Sequence, residues 1–289
     1  MLDYHLHLWP HGTPAAPVTV EQIAAYCRQA ASVGVTEIAV TEHLFRFVQA
    51  GPDLAGFWED DDNPAMRSAM AAYWAEHATA DLDQYVEAIE AAKAAGLPVK
   101  LGLEVDHYPG RMDAVARLLA GYPFDVLLGS VHWLGAWGFD NWAQPAFADE
   151  WQRRGTEGAW IAYVDAVEDL AASGVCDVLA HLDLCKVTGR VPADPEPCYE
   201  RLAAAAAGAD LVVEVSSAGW RKPAADAYPA TALLADLHRR GVVVTTASDA
   251  HCLVDVGRQV QELRPRLAAA GYDTVTSFSA RRPTPVALS

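Results

Sequence analysis

Short apolar runs alternate with longer alanine-rich stretches along most of the chain. Seven of these runs are apolar enough to be buried on both faces, as the strands of a parallel sheet are. The alternation therefore predicts strands joined by crossover helices. The predicted strands are residues 2–8, 35–41, 98–105, 124–131, 177–180, 210–216 and 242–247.

The stretches between the runs carry apolar residues at three-to-four-residue spacing, which predicts amphipathic helices. Four of them end in a glycine shortly before a predicted strand, because glycine accepts the left-handed conformation that ends a helix. Seven strands with helices between them favour a closed barrel over an open sheet. The predicted helices are residues 20–31, 81–95, 159–172, 197–207 and 231–240.

No linker, low-complexity tract or repeat divides the chain, so we expect one barrel domain over residues 1–279. Residues 49–70 interrupt the alternation, since they contain an acidic run at 59–62 and few aliphatic side chains. This segment is interpreted as an excursion after the second strand, either a solvated surface loop or a lid over an active site. Residues 280–289 are predicted to form a frayed polar C-terminal tail.

The composition limits the partners that the protein can have. Of its 289 residues, 38 are acidic and 21 are basic, so the net charge of −17 repels phosphate backbones and anionic lipids. No apolar run reaches the ~20 residues of a membrane-spanning helix, and the first residues lack a signal sequence. Five cysteines without a C-x-x-C pair favour a reducing compartment. We expect a cytoplasmic protein that binds neither nucleic acid nor membrane, and the sequence gives no indication of its oligomeric state.

Eight of the ten histidines lie at or just beyond the ends of predicted strands. In a βα barrel the carboxyl ends of all strands open onto one face, where such enzymes carry out their chemistry. We therefore expect these imidazoles to converge. They are His5, His7, His11, His43, His107, His132, His181 and His251.

Carboxylates accompany the histidines at the strand ends, namely Glu42, Glu104, Asp106, Asp183 and Asp249. Imidazole and carboxylate without thiolate suit Zn, Mn or Fe and indicate a catalytic site rather than a closed structural site. His5 and His7 alternate along a strand, so both side chains project to the same side. A further set neighbours the ligands and is expected to support them or to point elsewhere: Glu42, Asp106, His107 and Asp183.

Six strings of residues, with their order and spacing over almost the whole chain, resemble the polymerase and histidinol phosphatase (PHP) family. The stretches 214–223 and 138–140 further resemble its monofunctional histidinol-phosphate phosphatase branch. The strings are Asp3-Tyr4-His5-Leu6-His7, Thr41-Glu42-His43, Gly102-Leu103-Glu104-Val105-Asp106, Gly129-Ser130-Val131-His132-Trp133, Ala180-His181-Leu182-Asp183 and Ser248-Asp249-Ala250-His251.

The resemblance implies an α/β fold, a distorted (β/α)7 TIM-like barrel, with a cluster of three divalent metal ions. By the same resemblance, His5, His7, Glu104 and Asp249 hold one ion, and Glu104 bridges to a second ion held with His132 and His181. A third ion would use His11, His43 and His251, with Asp249 as a possible shared ligand.

The implied reaction is hydrolysis of L-histidinol phosphate to L-histidinol and phosphate by hydroxide supplied at the metal cluster. An alternative is a PHP phosphoesterase acting on another small phosphate monoester or a nucleotide. The alternative stays open because Ser216-Ser217 stands where the branch has Asn-Thr, and Asp226-Ala227 precedes Tyr228-Pro229 where the branch has Glu-Ile.

Three further sets of groups are candidates for contact with such a substrate. Arg221 and Lys222 follow the sixth predicted strand and could bind phosphate, because an anion site is otherwise hard to build in so acidic a chain. Asp249, His251 and metal-bound water are candidate proton donors to the leaving group. An acidic segment at 53–62 and several tryptophans could receive a cationic substrate, and these are Trp58, Trp133, Trp137 and Trp142.

Overall fold

The computed structural model describes residues 1–10, 12–141 and 145–288. Within this part of the chain, seven parallel strands form one sheet, in which each strand pairs with the next of the seven along the chain. The prediction of a distorted (β/α)7 barrel is confirmed, and each predicted strand overlaps one of the seven. The strands are β1 (Leu2–Leu6), β2 (Glu37–Val40), β3 (Val99–Asp106), β4 (Val126–Ser130), β7 (Val178–Leu179), β8 (Val212–Ser216) and β9 (Val244–Ala247).

Helices connect the strands on the outside of the barrel. Among the described residues, none of these helices combines the length and the apolar character needed to cross a membrane. The longest helix is broken at Gly155, whose φ of 71° lies in the left-handed region. The helices are α1 (Val20–Ser32), α2 (Gly51–Leu54), α3 (Pro64–His77), α4 (Leu82–Ala94), α5 (Met112–Leu119), α6 (Pro145–Ala172), α7 (Glu196–Gly208), α8 (Thr231–Arg239) and α9 (Leu263–Ala270).

The junction between β9 and β1 is closed by single hydrogen bonds in place of a regular ladder. Leu6 bridges to Ala250, and the next amide, His7 N, donates to Ala250 O at 2.8 Å. The buried Asp3 carboxylate accepts from Ser248 N at 2.7 Å, from Ser248 Oγ at 2.6 Å and from Gly257 N at 2.8 Å. A side chain thus holds the first strand of the barrel against the last.

The excursion after β2 is not the solvated loop that its acidic run suggested. Residues 49–70 include α2 and the first half of α3, and they bury Phe57, Trp58 and Met66. The acidic run itself is anchored, because Asp61 accepts a hydrogen bond from Ala136 N at 2.9 Å. Aromatic side chains within and near the segment supply the apolar surface that its few aliphatic residues do not. The excursion is a packed cap on one side of the barrel mouth.

The C-terminus also differs from the frayed tail that was expected. Strand β11 (Arg282–Ala287) pairs antiparallel with β10 (Thr274–Ser279) over its full length, although it stays exposed. Phe278 N donates to Tyr4 Oη at 3.1 Å, and Arg281 binds Asp177 at 3.0 Å. These contacts hold the hairpin against the barrel. A second, very short hairpin joins β5 (Trp133–Leu134) to β6 (Trp137–Gly138) beyond β4.

We predict that Asp3→Ala lowers the free energy of unfolding by about 3 kcal/mol, because it leaves buried amides of Ser248 and Gly257 without an acceptor. Urea denaturation followed by circular dichroism measures this change. Asp60→Ala, at an exposed position, serves as the control and should shift stability by less than about 0.5 kcal/mol. Equal stability of the two variants would show that Asp3 does not close the barrel.

Candidate metal centre

The carboxyl ends of the barrel strands bring most of the predicted ligands together. His5 lies in β1, with His7 just beyond it, and Glu104 lies in β3. The remaining side chains come from the first residues after β2, β4, β7 and β9. Each of these four segments therefore contributes one or two side chains to the same buried volume. They are His43, His132, His181, Asp249 and His251.

Glu104 lies at the centre of this cluster, with its side chain 1% exposed. Its two oxygens face different sets of imidazoles, and Oε2 has no hydrogen-bond partner among the described residues. A carboxylate between two groups of ligands is placed to bridge two cations. Its neighbours are His5 Nε2 at 3.2 Å, His7 Nε2 at 3.5 Å and His43 Nδ1 at 2.8 Å from Oε2, and His181 Nε2 at 3.1 Å and His132 Nε2 at 3.4 Å from Oε1.

Charge and burial set the protonation of these groups in the metal-free protein. Burial opposes ionisation of Glu104, but His5, His43 and His132 outweigh it and hold the pKa of Glu104 well below its usual value. In return Glu104 and Glu214 raise the pKa of His5 well above normal, against the effect of burial. Burial and the neighbouring imidazoles of His251 and His43 lower the pKa of His7. The cluster therefore contains both neutral imidazoles ready to bind metal and protonated ones that a metal would deprotonate.

Buried carboxylates orient several of the imidazoles from behind. Glu214 Oε2 lies 2.7 Å from His5 Nδ1, and Asp106 Oδ1 lies 2.6 Å from His132 Nδ1. Each contact directs the Nε2 of its histidine towards Glu104. This is the pattern in which a carboxylate fixes the tautomer of a metal-binding histidine.

Glu42 supports the cluster on another side. Its Oε1 accepts hydrogen bonds from Leu8 N at 2.5 Å and from Trp9 N at 2.9 Å, and its Oε2 lies 3.5 Å from His7 Nδ1. Burial raises the pKa of Glu42 to about 7. Glu42 thus fixes the chain after β1 and faces a histidine of the cluster at the same time.

The donor set fits divalent metal ions. Nitrogen and oxygen atoms of the cluster form several groups of three whose members lie within 4.8 Å of one another. Neutral imidazole and carboxylate are ligands of Zn, Mn and Fe, and a cation would satisfy the buried Glu104 Oε2, which forms no regular hydrogen bond with the described residues. The groups are His5 with His7 and Asp249, His5 with Glu104 and His181, His7 with His43 and His251, and His43 with Asp106 and His132.

Two of the residues in the cluster adopt backbone conformations that are uncommon for them. His181 has a φ of 28° and Asp249 a φ of 51°, both in the left-handed region. Such conformations cost free energy and persist where the surrounding structure enforces them, often at functional sites. The turn at Asp249 brings its Oδ1 to 3.6 Å from His7 Nε2.

A cavity of about 460 Å³ opens above the cluster. Its floor contains Glu104, His132, His181 and Asp249, whereas α3 and the segments after β2, β6 and β8 form its walls. The face of α3 with Met70, Tyr73 and His77 lines one wall at helical spacing. The cap described above therefore forms part of the site.

Several predicted residues lie away from the cluster or outside the described residues. His107 points to α6, with its Nε2 2.7 Å from Asp169. Asp183 accepts from Ala230 N at 2.8 Å and pairs with Lys186 at 3.0 Å, so it holds the chain after β8. His11 lies outside the described residues.

The basic pair after β8 is divided. Lys222 lines the cavity, whereas the Arg221 guanidinium donates to Ser248 O at 2.5 Å and is absent from the described lining. Arg221 thus contacts the residue before Asp249. Among the lining residues that the structure describes, Lys222 is the one Lys or Arg side chain.

Two of the four tryptophans proposed to receive the substrate pack against other tryptophans and are absent from the described cavity lining. Trp58 packs on Trp74 with ring centroids 5.6 Å apart, and Trp137 is fully buried against Trp151 at 4.9 Å. Trp133 does line the cavity. Trp142 lies outside the described residues.

Two residues with a place in the site were not singled out from the sequence. Glu214 interrupts the apolar run of β8, and a carboxylate in the middle of a buried strand needs a polar partner inside the barrel. Tyr228 lines the cavity with a fully buried hydroxyl that has no hydrogen-bond partner among the described residues. Backbone hydrogen bonds to Ser216 fix its position. In the sequence, Tyr228 was noted only as part of the Tyr228-Pro229 pair in the comparison with the family branch.

The chain is similar to known proteins along most of its length. The family model for the PHP domain matches residues 4–218. The "Probable histidinol-phosphatase" of Deinococcus radiodurans is 33% identical over 277 residues, which cover 96% of each protein.

Two solved structures share the fold. The histidinol phosphate phosphatase of Lactococcus lactis, solved with zinc, L-histidinol and phosphate, superposes with a TM-score of 0.73 at 19% identity and 98% coverage of both chains. A structure from Listeria monocytogenes gives a TM-score of 0.72 at 22% identity, with 89% of this chain and 98% of that one covered. The extent of the family match and the identity to the Deinococcus protein show that this chain belongs to the PHP domain family.

Proposed function

We propose that the protein is a metal-dependent phosphomonoesterase that hydrolyses L-histidinol phosphate to L-histidinol and phosphate. The observation that carries the proposal is the buried Glu104 with five imidazole nitrogens within 3.5 Å of its oxygens. The 33% identity to a protein named as a histidinol-phosphatase supports the substrate. The cavity beside Glu104 gives a small phosphate monoester access to the cluster.

The proposed ligand set consists of the clustered residues together with His11. Zn, Mn and Fe are the candidate metals, and three ions are proposed. Bound divalent ions would supply Lewis acidity, which lowers the pKa of water towards neutrality and offsets charge on the phosphoryl oxygens. The proposed ligands are His5, His7, His11, His43, Glu104, His132, His181, Asp249 and His251.

The chain's own residues would bind the phosphate and handle its protons. Lys222 is placed to form an ion pair with a phosphate oxygen in the cavity. Burial raises the pKa of Tyr228 well above its usual value, so the phenol stays protonated and can donate a hydrogen bond to the anion. Asp249 Oδ1 lies 3.5 Å from His251 Nδ1, and this pair would relay to the leaving alkoxide the proton that the attacking water loses.

The function is tested by measuring phosphate release from the metal-loaded protein. We expect histidinol phosphate to have the highest kcat/KM in a panel that also contains nucleoside monophosphates and simple alkyl phosphates. Chelation should abolish the release, and Zn, Mn or Fe should restore it. Faster turnover of another ester would indicate the alternative substrate class, and activity unaffected by chelation would contradict the metal dependence.

We predict that Glu104→Gln abolishes both metal loading and turnover, with a loss of activity of about 100-fold or more, because the bridging negative charge is removed. Elemental analysis after dialysis and the phosphate assay measure the two effects. Glu87→Gln on the exposed face of α4 is the matched control and should behave as the wild type does. A fully loaded and fully active Glu104→Gln protein would rule out the bridging role.

Glu214→Gln should weaken metal binding about 10- to 100-fold, because the amide no longer accepts the His5 Nδ1 proton as a charged carboxylate does. Competition with a chromogenic chelator measures the affinity. Since Glu214 acts through His5, kcat should recover towards the wild-type value when metal is saturating. A kcat that stays low at full metal occupancy would mean that Glu214 acts on the substrate itself.

A further inference from the structure

Charged groups of both signs line the cavity. Lys222 and the metal ligands suit a phosphate group, whereas Asp140, which follows β6, contributes a carboxylate that the proposed ligand set does not use. Asp140 is half-buried and forms no hydrogen bond or ion pair with the residues that the structure describes. A carboxylate that lines a cavity without a direct hydrogen-bond or ion-pair partner is suited to receive a cation.

Residues on several sides of the cavity feel the charge of Asp140. Burial raises the pKa of Tyr73 in α3, and the Asp140 charge raises it further. Asp140 acts in the same direction on Tyr228, in the segment after β8, where burial is again the largest cause. Against the effect of burial and together with Glu104, Asp140 also raises the pKa of His132, so Asp140 lies within electrostatic reach of the proposed metal ligands as well as of the cavity walls.

Aromatic rings line the cavity together with Asp140. Phe45 lies at the centre of this group, with its ring 5.4 Å from that of Tyr73 and 5.6 Å from that of Trp133. Such rings provide an apolar surface for a planar group, and their faces favour a cation over an anion. The carboxylate and the rings thus point to the same kind of ligand.

We propose that Asp140 is the residue that binds the positive charge on the alcohol portion of the substrate and so sets the preference among phosphate monoesters. The inference rests on the proposed function of the site as a phosphomonoesterase. Histidinol phosphate, with its protonated amine and its imidazole, carries such a charge. The cavity is continuous from the metal ligands to Asp140, so one small substrate can contact both.

Small esters that differ mainly in the charge of the alcohol portion test the proposal. These are 2-aminoethyl phosphate, ethyl phosphate and 2-phosphoglycolate, assayed with the metal-loaded enzyme. The wild type should prefer the cationic ester to the neutral one and the neutral ester to the anionic one. In Asp140→Asn the ratio of kcat/KM for the cationic over the neutral ester should fall about tenfold, mainly through KM.

Two further variants separate charge recognition from a structural effect. Asp140→Glu keeps the charge and should retain most of the preference, whereas Glu87→Gln removes an exposed charge on α4, outside the cavity, and should leave the ratio at the wild-type value. An unchanged ratio in Asp140→Asn overturns the proposal. An equal fall in Glu87→Gln would overturn it as well, because the effect would then come from the net charge of the protein.

The outcomes also separate this inference from the proposed function. If the wild type hydrolyses histidinol phosphate but Asp140→Asn keeps the wild-type ratio of kcat/KM for the cationic over the neutral ester, only the role of Asp140 is refuted. If the wild type prefers 2-aminoethyl phosphate to ethyl phosphate but does not hydrolyse histidinol phosphate, only the proposed substrate is refuted. If no ester turns over, calorimetric titration with L-histidinol decides, since Asp140→Asn should weaken its binding about tenfold and equal affinity would refute the proposal.

Discussion

The burial of one ionised carboxylate governs the architecture of the site. Glu104 is almost inaccessible to water, and an isolated charge in such a position would be strongly unfavourable. It becomes tolerable because five imidazoles from four separate segments lie within 3.5 Å of its oxygens. Those segments converge only when the sheet closes, so the closure of β9 on β1 through Asp3 and Ser248 is part of the same requirement. Fold and site therefore depend on each other.

A second group of carboxylates makes the imidazoles specific ligands. Glu214 and Asp106 each hold a Nδ1 and leave the opposite nitrogen directed at Glu104. Without them, His5 and His132 could rotate or exchange tautomers, and the geometry would be lost on metal release. These carboxylates also raise the pKa of their histidines, that of His132 to about 10, with Glu104 as the largest favourable contribution against burial. Metal binding must displace these protons, so the orientation of the ligands costs some affinity at low pH.

The barrel and the convergence of histidines could be predicted because both depend on local patterns. Apolar strands and glycine-ended helices are visible in short windows, and the topology of a βα barrel brings the strand ends together. The cap could not be predicted in this way, because Phe57, Trp58 and Trp74 become buried only through one another and the acidic run between them suggested solvent. The orientation of Arg221 towards Ser248 likewise depends on a turn that no local pattern specifies.

The acidity of the chain is consistent with the chemistry proposed for the cavity. A net charge of −17 repels a phosphate dianion, so attraction has to arise inside the cavity. Lys222 supplies one positive charge. Metal ions supply more positive charge if their ligands do not neutralise them. Most of the proposed ligands are imidazoles, which are neutral when bound to metal, and this leaves the ions more of their positive charge than an all-carboxylate set would. The same acidity favours a substrate that carries a cation at its other end, because the surroundings that oppose its phosphate attract its amine.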